Sequence, residues 1–235
     1  MLYNFEKLRF TLFYMNSQFD QIGNINDVYL KIFKSEPSSL TSNKVAQQKI
    51  AQSDIYLDSS FLSASIMIQN NRIDVMIDGN ADSDPISLEK IDYFFTTTLE
   101  FLVRYLPTNP IRIALGLMLN NTASNSNESV EIAKSFFPSL NSLENIGELG
   151  LRINQIQNID SITANGIISI NTVKQIKQKI EPGQAIFFQI PQAEMQDACL
   201  IEFDFNTQPE SNLKDGNINN IFSVFKNKIF SYLEN

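Results

Sequence analysis

The sequence predicts an α+β fold of two similar halves, each an antiparallel sheet packed with amphipathic helices in the order β-α-β-β-β-α. Three observations predict it. Apolar residues recur at helical spacing in two long segments, one ending near Leu106 and one near Leu233, so each half closes on a helix. Alternating stretches follow one another through short polar joints rather than through helices, which favours antiparallel meanders. Pro107 and Pro110 stand in the middle of the chain and divide it into residues 1–107 and 108–235. One continuous antiparallel sheet with helices on one side is the alternative arrangement of the same elements.

Leu8, Phe10, Leu12 and Tyr14 alternate with Arg9, Thr11 and Phe13, predicting an opening strand with both faces partly covered. Asn24 or Asn26 is placed to cap a short helix carrying Val28, Tyr29, Ile32 and Phe33, and Glu36-Pro37 ends it. Strands are expected over 45–57, 61–68 and 72–77. Asn70-Asn71 turns the last two into a hairpin, because Asn tolerates a positive φ. Ser87–Leu106 is the clearest helix, with Leu88, Ile91, Phe94, Phe95, Leu99 and Leu102 on its stripe.

Ile111, Ile113, Leu115, Leu117 and Leu119 form the clearest strand and leave Arg112, Ala114, Gly116 and Met118 on its other face. Polar residues 120–127 predict a loop, 128–137 a short helix closed by Pro138, and 149–157, 161–173, 184–190 and 198–206 four strands. Residues 218–233 predict the closing helix.

Composition excludes more than it identifies. The chain has 235 residues, no His, no Trp and one Cys. Without His there is no Ser-His-Asp or Cys-His catalysis and no His-ligated metal. A single thiol, Cys199, forms no intrachain disulfide, so a reducing, cytoplasmic compartment is expected. No apolar run reaches the roughly 18 residues a membrane span needs. The net charge is −8, and each half holds 9 basic and 13 acidic residues, so nucleic-acid binding is disfavoured by net charge. Neither a Walker-type phosphate loop nor a dinucleotide fingerprint occurs.

Three constellations carry what chemistry there is. Asp78, Asn80, Asp82 and Glu89 fall at positions 1, 3, 5 and 12 of a calcium-type loop, whose alternate oxygens would wrap Ca²⁺. Ser83 stands where the sharp turn wants Gly, and the plainer account is a strand-to-helix loop in which Asp84 caps the helix and Pro85 opens it. Glu202 and Asp204, two apart on one strand face, are placed to hold Mg²⁺ or to act as acid and base; the plainer account is a solvated strand face. Arg112 has room beside Ala114 and Gly116, and a cross-strand charged pair with Glu202 or Asp204 is expected for it. Phe136-Phe137 and Phe187-Phe188 are adjacent aromatic pairs. One member of each is expected to point away from its own core, toward the other half or a partner.

The order of elements resembles a sporadically distributed family of uncharacterised prokaryotic proteins. Three stretches carry the likeness: Phe5-Glu6-Lys7-Leu8-Arg9-Phe10, the run from Ile111 to Asn120, and Ile201-Glu202-Phe203-Asp204-Phe205. The chain departs from the family's central strand at Ala114 and Leu115-Gly116. The resemblance implies binding rather than chemistry, in phage-defence or toxin–antitoxin settings.

The expected function is therefore a non-enzymatic protein-interaction module, an accessory subunit or antitoxin-like factor whose partner is another protein or a second copy, with no cofactor. Two alternatives stand beside it. One is a carboxylate-metal hydrolase or nuclease using Ca²⁺ or Mg²⁺. The other is an acidic nucleic-acid mimic, favoured if Asp54, Asp58, Asp74, Asp78, Asp82 and Asp84 share a face.

Overall fold

The structure is a computed structural model that describes residues 2–57, 60–79, 85–107, 109–159, 162–176, 195–209, 213 and 215–234. The strands are β1 (Leu2–Tyr3), β2 (Phe5–Phe13), β3 (Ser39–Asn43), β4 (Gln48–Leu57), β5 (Ser60–Gln69), β6 (Arg72–Gly79), β7 (Ile86–Ser87), β8 (Arg112–Ala123), β9 (Gly150–Ile159), β10 (Ile162–Ile176) and β11 (Met195–Thr207). The helices are α1 (Ile25–Phe33), α2 (Leu88–Tyr105), α3 (Ser126–Phe136) and α4 (Asp215–Leu233), with a 3-10 turn over Pro138–Ser142. No helix among the described residues is long and apolar enough to cross a membrane.

The fold is α+β, and its main sheet is antiparallel. Nine strands run in the order β3-β4-β5-β6-β2-β8-β11-β10-β9, and β1 pairs separately with β7. The expectation of one sheet for each half is thus corrected. β2 pairs with β8 from Phe5↔Leu119 to Phe13↔Arg112, so a single sheet crosses from residues 1–107 to residues 108–235. Backbone groups left open on β2 and β8 would otherwise be two unpaired edges, and pairing them removes both.

The helices among the described residues cover one face. Leu8, Phe10 and Leu12 of β2 point to that side, and Phe10 meets Phe95 of α2 at 5.2 Å and Phe222 of α4 at 5.4 Å between ring centroids. Phe205 of β11 meets Phe225 of α4 at 5.7 Å. Tyr29 of α1 donates to the Ala64 carbonyl of β5, and Val130, Ala133 and Phe136 of α3 join the same core. Burying one such ring contributes on the order of 2 kcal/mol, so this one layer of aromatics outweighs any single polar contact in the molecule. Gly166 on β10 makes the layer possible. A Cβ there would lie 2.6 Å from Cε1 of Phe205, inside van der Waals contact.

Local signals explain the element ends. Asn24 caps α1, accepting from Asn26 N. Asn125 caps α3 by accepting from Glu128 N, while the Glu128 carboxylate accepts from Ser124 N, an exchange related to the capping box. α2 differs from expectation. Its cap is Ser87, which accepts from Lys90 N, and Ile86–Ser87 pairs with β1, so the helix opens at Leu88 rather than after Asp84 and Pro85. The Asn70-Asn71 hairpin forms, with Gln69 opposite Arg72, but positive φ occurs at Lys34, Gln47, Asn109 and Asn145 instead. β8 runs on through Asn120, Asn121 and Thr122, where a loop was expected. These residues pair with Leu200, Cys199 and Ala198, and the Asn120 amide donates to Glu6 and Gln175. β3 is a strand for which the alternation pattern gives no expectation. The strand expected over 184–190 lies outside the described residues.

Candidate functional site

Strand alternation sends one set of side chains into the helix layer and the other to the opposite face, which no helix among the described residues covers. The register places that second set in rows. One row runs Asp54–Ser63–Asp78–Lys7–Met118–Glu202–Ser169–Arg152 across eight strands. The next runs Ser65–Met76–Arg9–Gly116–Asp204–Ile167. A third holds Met67, Asp74, Thr11, Ala114 and Asn206, and a fourth holds Gln69, Arg72, Phe13 and Arg112.

Where the first two rows cross β2, β8 and β11 there is a hollow of about 50 Å³ lined by Lys7, Arg9, Gly116, Met118, Glu202 and Asp204. Gly116 makes the floor low. Arg9 reaches over it, with Nε and Nη2 3.7 and 3.8 Å from where a Cβ would stand. Lys7 is held by Asp78 at 3.1 Å. Among the described residues the side chains of Arg9, Glu202 and Asp204 form no ion pair or hydrogen bond. β2 thus brings positive charge to the hollow from one side and β11 negative charge from the other; the two strands are two strand spacings apart, and the Arg9 guanidinium reaches over β8 between them.

The fourth row is a different arrangement. Phe13 lies between two guanidinium groups, Arg72 at 5.5 Å and Arg112 at 5.1 Å from its ring centroid. Arg72 also grips Asp74, with Nη2–Oδ1 at 2.8 Å and Nε–Oδ2 at 2.7 Å. Arg112 donates to Asn206 Oδ1 at 3.1 Å. The expected pair of Arg112 with Glu202 or Asp204 is replaced by this contact. Asp204 faces Gly116, four residues or about 13 Å along β8 from Arg112. The arginine that stands opposite Gly116 is Arg9, because β2 enters between β6 and β8. The sequence showed Arg9 on the correct face of its strand, but gave no signal that β2 would lie beside β8.

The other candidates are dispersed. Asp78 is engaged with Lys7, Glu89 lies in the first turn of α2, and Asn80 and Asp82 lie outside the described residues. No group of three or more His, Cys, Asp or Glu side chains suited to a metal occurs among the described residues. Asp54, Asp74 and Asp78 share the helix-free face, but Asp74 is fully buried and paired; Asp58, Asp82 and Asp84 lie outside the described residues. Phe136 is a core side chain, 5 % exposed. Phe137 packs at the core margin, 5.8 Å from Tyr232. Phe187 and Phe188 lie outside the described residues. Burial pushes the Cys199 thiol up to about 12, which keeps it protonated and unreactive at neutral pH.

No family model, curated protein or solved structure matches the chain.

Proposed function

We propose that the protein works by binding another polypeptide on the helix-free face of its sheet, over the hollow between β2 and β11. One observation carries this reading: Arg9, Glu202 and Asp204 stand there with opposite charges on opposite walls and with no described side chain to neutralise them. A nucleic acid or an anionic membrane brings one sign of charge, so whatever Arg9 gains, Glu202 and Asp204 lose. A polypeptide brings both signs. The complementary surface presents a carboxylate to Arg9 and an amine or guanidinium to Glu202 and Asp204.

We read β2-α1 through α2 and β8-α3 through α4 as related units, which sets the hollow on the line where they meet. An accessory role in a prokaryotic defence system, implied by the family resemblance, is one use of such a module. Metal-dependent hydrolysis is less well served. Glu202 and Asp204 lack a third carboxylate among the described residues and have Lys7 and Arg9 for neighbours.

A photo-crosslinking side chain at Met118, in cells of the native host, tests this. The expected result is a discrete polypeptide adduct that is absent with the crosslinker at Tyr93 of α2 and falls about tenfold or more in Arg9→Glu. Heat on titrating the protein with Mg²⁺ or Mn²⁺, lost in Glu202→Gln, together with no adduct, overturns the binding reading in favour of the metal one.

A further inference from the structure

The two outer strands of the sheet are guarded differently. β3 has five residues, all exposed, with Lys34 and Pro37 before it and Lys44 after it. Short length, Pro and Lys are the usual means of blunting a sheet edge. β9 has ten residues, keeps unbroken register with β10 from Gly150↔Asn171 to Ile159↔Ile162, and carries one charged side chain, Arg152, and no Pro. Thr172 N donates to Leu149 O at 2.8 Å, which fixes the parity of the ladder. The N–H and C=O groups of Gly150, Arg152, Asn154, Ile156 and Asn158 therefore face outward. No described residue hydrogen-bonds to them. Ile156 is 70 % exposed on the same edge, and Leu143, on the segment that leads into it, is 46 % exposed.

We propose that β9 is a dimer contact: a second copy of the chain pairs with it antiparallel, β9 against β9, and the sheet continues across a two-fold axis. The strand suits itself. With the axis at Gln155, Arg152 falls opposite Asn158 of the second copy, so the two arginines do not meet. The Asn and Gln amides both donate and accept, so one residue type serves either side. The chain carries −8, yet β9 itself has no acid, so the paired strand residues bring no carboxylates together.

Mass measurement by sedimentation over a dilution series tests the contact, with Asn154→Pro and Ile156→Lys as variants. Proline removes an outward N–H that β10 does not use, and lysine adds a charge to an edge that must meet its own copy. The wild type is expected at twice the 26.7 kDa of one chain. Each folded variant is expected at the mass of one chain, with unchanged far-UV circular dichroism. If Asn154→Pro fails to fold, Ile156→Lys decides. Amide exchange at Arg152, Asn154, Ile156 and Asn158 is expected to be slow in the wild type and fast in Ile156→Lys. A wild type that stays a single chain at every concentration overturns the proposal, as does a dimer that survives Ile156→Lys. The contact uses none of the residues around Arg9, so its failure leaves the polypeptide-binding reading standing.

Discussion

The Thr11 hydroxyl donates to Asp74 Oδ1 at 2.6 Å, and both residues are buried on the sheet face that carries no helix. A carboxylate with no exposure needs charge and hydrogen-bond partners, and Arg72 and Thr11 supply them from the neighbouring positions of the register.

Asp74→Ala is expected to cost about 3 kcal/mol, because it leaves the partly buried Arg72 guanidinium and the Thr11 hydroxyl without their acceptor. Arg72 keeps some solvent contact, which holds the figure at the low end of buried-pair losses. Urea unfolding of wild type, Asp74→Ala and Asp74→Asn measures it. Asn restores one acceptor, so its loss should be smaller; equal losses count against the hydrogen-bond account.

Leu99 lies on the buried stripe of α2 at 8 % exposure. Leu99→Asp is expected to destabilise by more than about 3 kcal/mol, since an unpaired charge enters packed apolar surroundings. An unchanged melting temperature contradicts the packing of α2 described above.

Two glycines differ in what a methyl group would meet. At Gly166 it meets the Phe205 ring, which can turn. At Gly79 it meets the backbone carbonyl of Phe5 at a separation no packing allows, so β6 or β2 must move. Gly166→Ala is expected to cost about 1–3 kcal/mol and Gly79→Ala more, read from denaturant midpoints. The reverse order contradicts this account.

Stability is expected to fall on the alkaline side. Burial raises Cys199 from 9.0 to about 12 and Tyr29 from 10.0 to about 12, and raises Tyr3 and Tyr14 as well. Each group stays protonated in the folded chain while its unfolded counterpart ionises. The unfolded state therefore binds fewer protons between about pH 9 and 12, and unfolding becomes easier as pH rises through that window. Cys199→Ala removes the contribution that begins lowest. Its stability-against-pH curve should bend near 10 rather than near 9, and coincident curves reject the assignment.

Much of the fold was legible. The stripe of α2 and the alternation of β8 set both elements within a few residues, because their burial periods are long and unbroken. What escaped was decided by partners far along the chain. Asn120 to Thr122 look like a loop by composition, and only β11 opposite makes them strand. β3 is exposed at every position and has no apolar pattern to betray it. For the site, Glu202 and Asp204 were visible as a pair. Their true neighbour, Arg9, was not, because the pairing of β2 with β8 joins positions about 100 residues apart.

Lys49 offers a consequence for covalent labelling. Its ammonium donates to the carbonyls of Phe19, at 2.7 Å, and Ile22, at 2.6 Å, lies 3.3 Å from that of Gly23, and sits 4.7 Å from the centre of the Phe19 ring. An acylating reagent that reaches the exposed Lys44 finds the Lys49 nitrogen enclosed by acceptors and an aromatic wall. Mass-spectrometric footprinting of the native chain should mark Lys44 early and Lys49 late. The delay would report how firmly the segment between β2 and α1 is clasped to β4.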